Sequence, residues 1–138
     1  MASSNQPEPA PEFFFDRGLG KNLAFRLIDL GWVIHRIADH FPDDAQNVSD
    51  PDWMEFGLRR LWLPFHKDGR IRSNPSERAP IEVHKSPMFY LDNQQLKIDE
   101  MVRRIHLNQT KIYRLARRRR GVAACYAVND QGVHKRWP

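Results

Sequence analysis

The sequence predicts an α/β fold: a doubly wound, mostly parallel sheet of five strands with helices on both faces. Three observations lead there. Short apolar runs bounded by turn residues recur along the chain, stretches at helical spacing separate them, and the runs are continuous, as strands buried on both faces require. With 138 residues, 41% of them hydrophobic, the chain has the length for one domain with its own core.

Residues 1–12, "MASSNQPEPAPE", lack apolar periodicity and read as a flexible leader, so the domain is taken as residues 13–128. "FFFD" (Phe13 to Asp16) is a short strand that ends in a carboxylate. Leu19, Leu23, Leu27 and Leu30 then recur at helical spacing, with Gly31 as a stop. "WVIHRIA" (32–38) is rich in branched and aromatic residues and predicts the second strand. In "DPDWMEFGLRR", Ser49 or Asp50 can cap a helix, Pro51 fits its first turn, and Asp52 and Glu55 suit its positive end. "LWLPFH" (61–66) predicts the third strand, with Pro64 placing it at an edge or bulge because proline lacks a ladder donor.

"NPSERAPIEV" starts as a helix that Pro80 should interrupt, and "SPMFYL" (86–91) is the fourth strand. From Asn93 to Arg120 few breakers occur, and Leu96, Met101, Ile105, Ile112 and Leu115 predict the buried stripe of one long helix. "GVAACYAV" (121–128) is the fifth strand, and residues 129–138 are expected to form a frayed tail.

Charge divides unevenly along the chain. The net charge is +5, yet residues 1–69 hold 7 Lys/Arg against 11 Asp/Glu, whereas residues 70–138 hold 15 against 6. Such a split suits a site that collects a cation on carboxylates and a polyanion on Lys/Arg, and a solvated surface can show it too. The lone Cys125 forms no intrachain disulfide, and no run approaches the ~18 apolar residues of a membrane span. The expectation is a soluble, cytoplasmic protein that uses no membrane.

In a doubly wound sheet, ligands bind beyond the carboxyl ends of the strands, so the residues found there are the candidates. Asp16 ends the first strand, Asp50 opens the helix after the second, and Asp68 follows the third. Each alone is equally a turn or cap residue. Together on one rim they would form an all-oxygen cluster suited to Mg²⁺ or Mn²⁺. Asp52 and Asp39 are weaker metal candidates, while His66 and Glu77 would support the site from behind; His66 alone is equally a strand-end histidine, and Cys125 a core residue. In an extended segment, Arg70 and Arg72 would project to the same side towards a phosphate, with Lys67 and Arg17 as further contacts. Arg117, Arg118, Arg119 and Arg120 form a basic patch that either complements a helix end or faces a polyanion.

"FFFDRGLG", "GWVIHRIADHFPDD", "DPDWMEFG", "KDGRIRSNPSE" and the helix ending "IYRLARRRR" together resemble the PIN-like ribonuclease domains, specifically the VapC-type toxins, from about Phe13 to Val128. The resemblance implies a Mg²⁺-dependent endoribonuclease held silent by a cognate antitoxin, with RNA as substrate and Asp16, Asp50 and Asp68 as catalytic ligands. A homodimer is admitted as an assembly. His66 stands where such domains usually carry Thr or Ser. The rival expectation is a PIN-like module without turnover that binds RNA or an antitoxin through its basic C-terminal half.

Overall fold

The three consecutive phenylalanines organise the chain. In the computed structural model, which describes residues 9–43, 47–92, 95–118 and 121–138, they form β1 (Glu12–Phe15). Strand geometry sends Phe13 and Phe15 to one face and Phe14 to the other, so one short strand seeds both cores. All three are essentially inaccessible to solvent, and each contributes about 1.5–3 kcal/mol by burial.

The class is as expected, α/β with a mostly parallel sheet, but the sheet has six strands rather than five, in the order β2-β1-β3-β4-β5-β6. These are β2 (Val33–Arg36), β3 (Leu63–His66), β4 (Pro87–Leu91), β5 (Ala124–Asn129) and β6 (Gly132–Trp137). Neighbours pair in parallel except β5 with β6. Four further expectations about secondary structure fail, for separable reasons.

The predicted frayed tail contains β6. Asn129 pairs with Gly132 across a two-residue loop, and the Asn129 side chain accepts the Gln131 amide at 2.8 Å. The predicted single helix from 93 to 120 is two helices, α4 (Ile98–Leu107) and α5 (Gln109–Arg117). Asn108 breaks it by donating its side-chain amide to the Arg104 carbonyl at 2.7 Å and the Asn129 carbonyl at 2.9 Å. Pro80 does not interrupt α3 (Pro75–His84), where it is buried beside Ile81 on the core face, so packing offsets one missing helical hydrogen bond.

Pro64 likewise lies in the sheet interior rather than at an edge or bulge. Phe65 turns its carbonyl to β1, accepting the Asp16 amide at 2.9 Å, so Pro64 turns towards β4. The β3–β4 register begins only at Phe65 opposite Phe89, so the missing donor falls at the mouth of that ladder.

α1 (Lys21–Asp29) covers one face together with α4, burying Leu23, Ala24 and Leu27. It is entered through Gly20, whose φ of +80° is costly for any residue with a Cβ. α2 (Asp50–Arg59) and α3 cover the other face. Ser49 caps α2 by accepting the Asp52 amide at 3.3 Å. Among the described residues no helix is long and apolar enough to cross a membrane. The lone Cys125 is buried in this second core, which pushes its thiol up to about 12 and leaves it a packing residue.

Gly57 is where α2 meets the sheet most closely: a Cβ there would stand 2.4 Å from Phe14 Cδ2. Gly57→Ala should therefore destabilise the protein by about 1–3 kcal/mol despite its gain in helix propensity. A lowered urea midpoint at unchanged slope is the expected result, and an unchanged or raised midpoint would show that the two layers have room to separate.

Candidate active site

The sheet order places a topological switch between β1 and β3: from β1 the chain winds outward to β2, then returns to the other side. Asp16 follows β1 and Asp68 follows β3, so these two acids flank the switch at the carboxyl rim. Asp50, on the first turn of α2, reaches the same place. A cleft of about 430 Å³ is lined by Asp16, Asp50, His66, Asp68, Arg70, Asn74 and Glu77. The three expected carboxylates thus share one cleft with Glu77 and His66.

Each carboxylate is held differently. Asp50 accepts the Trp53 indole N–H at 2.8 Å, one turn along α2, while Trp53 itself is buried against Phe14 and His66. Asp68 is gripped by Arg70, whose backbone amide donates to Oδ1 at 2.8 Å and whose Nε donates to Oδ2 at 2.6 Å. Burial in the cleft raises the Asp68 carboxyl, but the hydrogen bonds and charge of Arg70 outweigh it and leave the group below its ordinary value. Glu77 goes the other way: burial, then the negative charges of Asp50 and Asp68, raise it, with Arg70 only partly offsetting them. The acids therefore lie within each other's field, and Arg70 is the cation that relieves it.

His66 is 2% exposed, and its Nε2 has no hydrogen-bond partner among the described residues. Burial holds the imidazole neutral against the pull of Asp16, Asp50 and Asp68. The donor set, carboxylate oxygens in a shared negative field, suits a hard divalent cation. Among the described residues, however, no three acidic, imidazole or thiol groups converge closely enough to hold an ion, since Asp50 and Asp68 are turned to Trp53 and Arg70.

Other candidates lie elsewhere. Asp39 sits beyond β2, paired with Arg36 at 3.3 Å, and Asp52 stands at the start of α2; neither lines the acidic cleft. Lys67 lies along the Gly18 loop, where a Cβ on Gly18 would be 3.7 Å from Lys67 Cβ and 3.4 Å from Asp16 Oδ2. Arg70 and Arg72 do not project together, because Gly69–Ser73 is a 3₁₀ turn rather than an extended segment. Arg72 instead braces that turn, donating to the Gly69 carbonyl at 3.1 Å and the Tyr90 hydroxyl at 3.0 Å.

The described part of the basic patch, Arg117 and Arg118, is not brought to the cleft. Arg117 and Arg118 end α5, ahead of the first residue of β5, which runs parallel to β4 and so starts at the end of the sheet away from the acids. Arg119 and Arg120 lie outside the described residues. Asn74 is the lining residue that the sequence alone does not single out; it caps α3 by accepting the Ser76 amide at 3.1 Å, and the Asn-Pro pair is its signal.

This fold is that of a small α/β domain of the PIN type, and the PIN-like domain family matches residues 11–93, the majority of the chain. The chain belongs to that family. It is also 29% identical over 106 residues, 75% of this chain and 77% of the other, to the protein named "Putative ribonuclease VapC45" from Mycobacterium tuberculosis strain H37Rv. No solved structure matches it significantly.

The buried imidazole makes a pH prediction. A histidine whose charged form is disfavoured in the fold binds its proton more readily when unfolded, so stability is full above the ordinary value near 6.5 and falls as pH drops below it. In EDTA, replacing His66 with leucine should flatten the fall in unfolding free energy between pH 7.5 and 5.5 by on the order of 1 kcal/mol. Parallel curves for the two proteins would mean that His66 charges freely inside the cleft.

Proposed function

We propose that the chain is a metal-dependent endoribonuclease, the toxin of a toxin–antitoxin pair, which hydrolyses RNA phosphodiesters at a Mg²⁺ or Mn²⁺ held by Asp16, Asp50 and Asp68. The observation that carries this is the gathering of Asp16, Asp50, Asp68 and Glu77 around one cleft at the switch point of a PIN-like domain. The name of the mycobacterial relative, a ribonuclease, supports the same activity. When bound, the cation supplies Lewis-acid polarisation of the phosphodiester and a water of lowered pKa.

The protein's own groups prepare the cleft. The Trp53 indole fixes the Asp50 carboxylate, and the Asp16 amide, bonded to Phe65, fixes the end of β1. Arg70, with its side chain 86% exposed, neutralises Asp68 and would stand within the cleft's mouth to meet a phosphate oxygen. Arg72 keeps the 3₁₀ turn in place from below. Glu77 adds negative charge at the border of the cleft.

The partner implied is a cognate antitoxin, and the setting a cytoplasmic one. A second reading, a module that binds RNA or an antitoxin without turnover, is favoured by one observation: Asp50 and Asp68 already have donors of their own.

Incubation with single-stranded RNA decides between them. Cleavage should require Mg²⁺ or Mn²⁺, stop with EDTA, and fall by about 10²-fold or more in Asp16→Asn and in Asp68→Asn, the loss of several kcal/mol of charge stabilisation. RNA that stays intact with every divalent metal while still being bound would establish the second reading.

A further inference from the structure

Two more cavities border the acidic cleft, and shared walls join all three in series along the rim. On one side a cleft of about 400 Å³ is lined by Phe15, Asp16, Arg17, Gly20, Lys21, Arg36, Ile37 and Ala38, so Asp16 is the partition between it and the acids. On the other, a cleft of about 440 Å³ shares Asp68 and Arg70 and continues to Arg72, Tyr90 and Asp92. In the second, both arginines are already engaged, Arg70 with Asp68 and Arg72 with Gly69 and Tyr90. In the first, Arg17 and Lys21 are exposed and have no ion pair among the described residues, while Arg36 is held in place over the Phe25 ring at 5.1 Å and by Asp39 at 3.3 Å. The first cleft therefore holds two cations, Arg17 and Lys21, without an ion pair among the described residues, whereas both cations of the second are engaged.

We propose that the cleft of Arg17, Lys21 and Arg36 is a phosphate subsite for single-stranded RNA, holding the backbone phosphate next to the one at the acidic cleft. The inference rests on the nuclease reading and gives it a direction: the strand runs from the β1–β3 switch across β1 towards β2. Adjacent strands lie about 4.8 Å apart, so the two clefts are separated on the scale of one nucleotide. The acids alone repel a polyanion, and a neighbouring cationic pocket supplies the attraction that brings the strand over them. Single-stranded RNA is assigned because the acidic cleft is floored by the buried His66 with Asp50 half-buried beside it, a depth that a flexible backbone can enter and a stacked duplex cannot.

The test uses the full chain and a 5′-fluorescein single-stranded uridine octamer, with anisotropy read in EDTA and again in Ca²⁺ over a range of KCl. Arg17→Ala/Lys21→Ala should weaken binding by about 10-fold or more and lower the salt slope by about 0.7 for each phosphate no longer neutralised. Lys21→Glu should weaken it further, and Lys135→Ala, on the strand at the opposite edge of the sheet, should change neither quantity. Both altered positions are exposed, so thermal unfolding should be unchanged. Unaltered affinity and slope in the double variant would overturn the subsite, as would a chain that binds the octamer in neither condition. Equal affinity for an octamer duplex would overturn the single-strand assignment. If the octamer is bound and the variants weaken it but no metal supports cleavage, the subsite stands and the nuclease reading falls.

Discussion

The hydrogen bond from the Asp16 amide to the Phe65 carbonyl, at 2.9 Å, is the constraint on which the site depends. It is the last link between β1 and β3, made at the point where the chain stops winding one way and starts winding the other. It places the backbone of the first acid against the strand that leads to the third, and Phe13, Phe15 and Phe65 anchor both strands in one core from below. Asp50 arrives separately, on a helix pressed against Phe14. Three segments remote in sequence thus depend on the burial of one aromatic strand for their common position.

Gathering those acids has an electrostatic cost, and the structure meets it with local donors. Trp53 satisfies Asp50, and Arg70 satisfies Asp68 twice, from its backbone and from its guanidinium. Glu77 has no such donor of its own among the described residues, and burial, followed by repulsion from Asp50 and Asp68, raises its carboxyl. The exposed position of the Arg70 side chain makes its grip on Asp68 easy to exchange, because an ion pair in open solvent is worth little.

Much of this was legible in the sequence where local chemistry decides it. Continuous apolar runs ending in Asp16 and near Asp68, and the Ser-Asp-Pro start of α2, marked the rim and its acids because strand ends and helix caps follow short-range rules. What failed depended on distant contacts. Asn108 breaks a helix by reaching Asn129, Pro80 keeps its helix because it is packed, and Pro64 is tolerated because of where a neighbouring ladder begins. Arg72 carries no local sign that Tyr90 will hold it. The arginine run at the end of α5 read by charge alone as a helix-end complement or a polyanion patch, and the direction of β5 places its described members, Arg117 and Arg118, at the other end of the sheet.

The hairpin that adds β6 also determines how this domain can meet other chains. Without it, β5 would present an open row of amides and carbonyls, with Cys125 and Ala127 beside it, and an open strand edge recruits foreign strands. β6 pairs with that row and becomes the edge in its place, a strand that carries the exposed charges of Lys135 and Arg136. The opposite edge is β2, four residues long and crossed at its end by Arg36. The two edges of the open sheet are thus a four-residue strand and a strand that carries two charges, both of which disfavour the addition of a foreign strand.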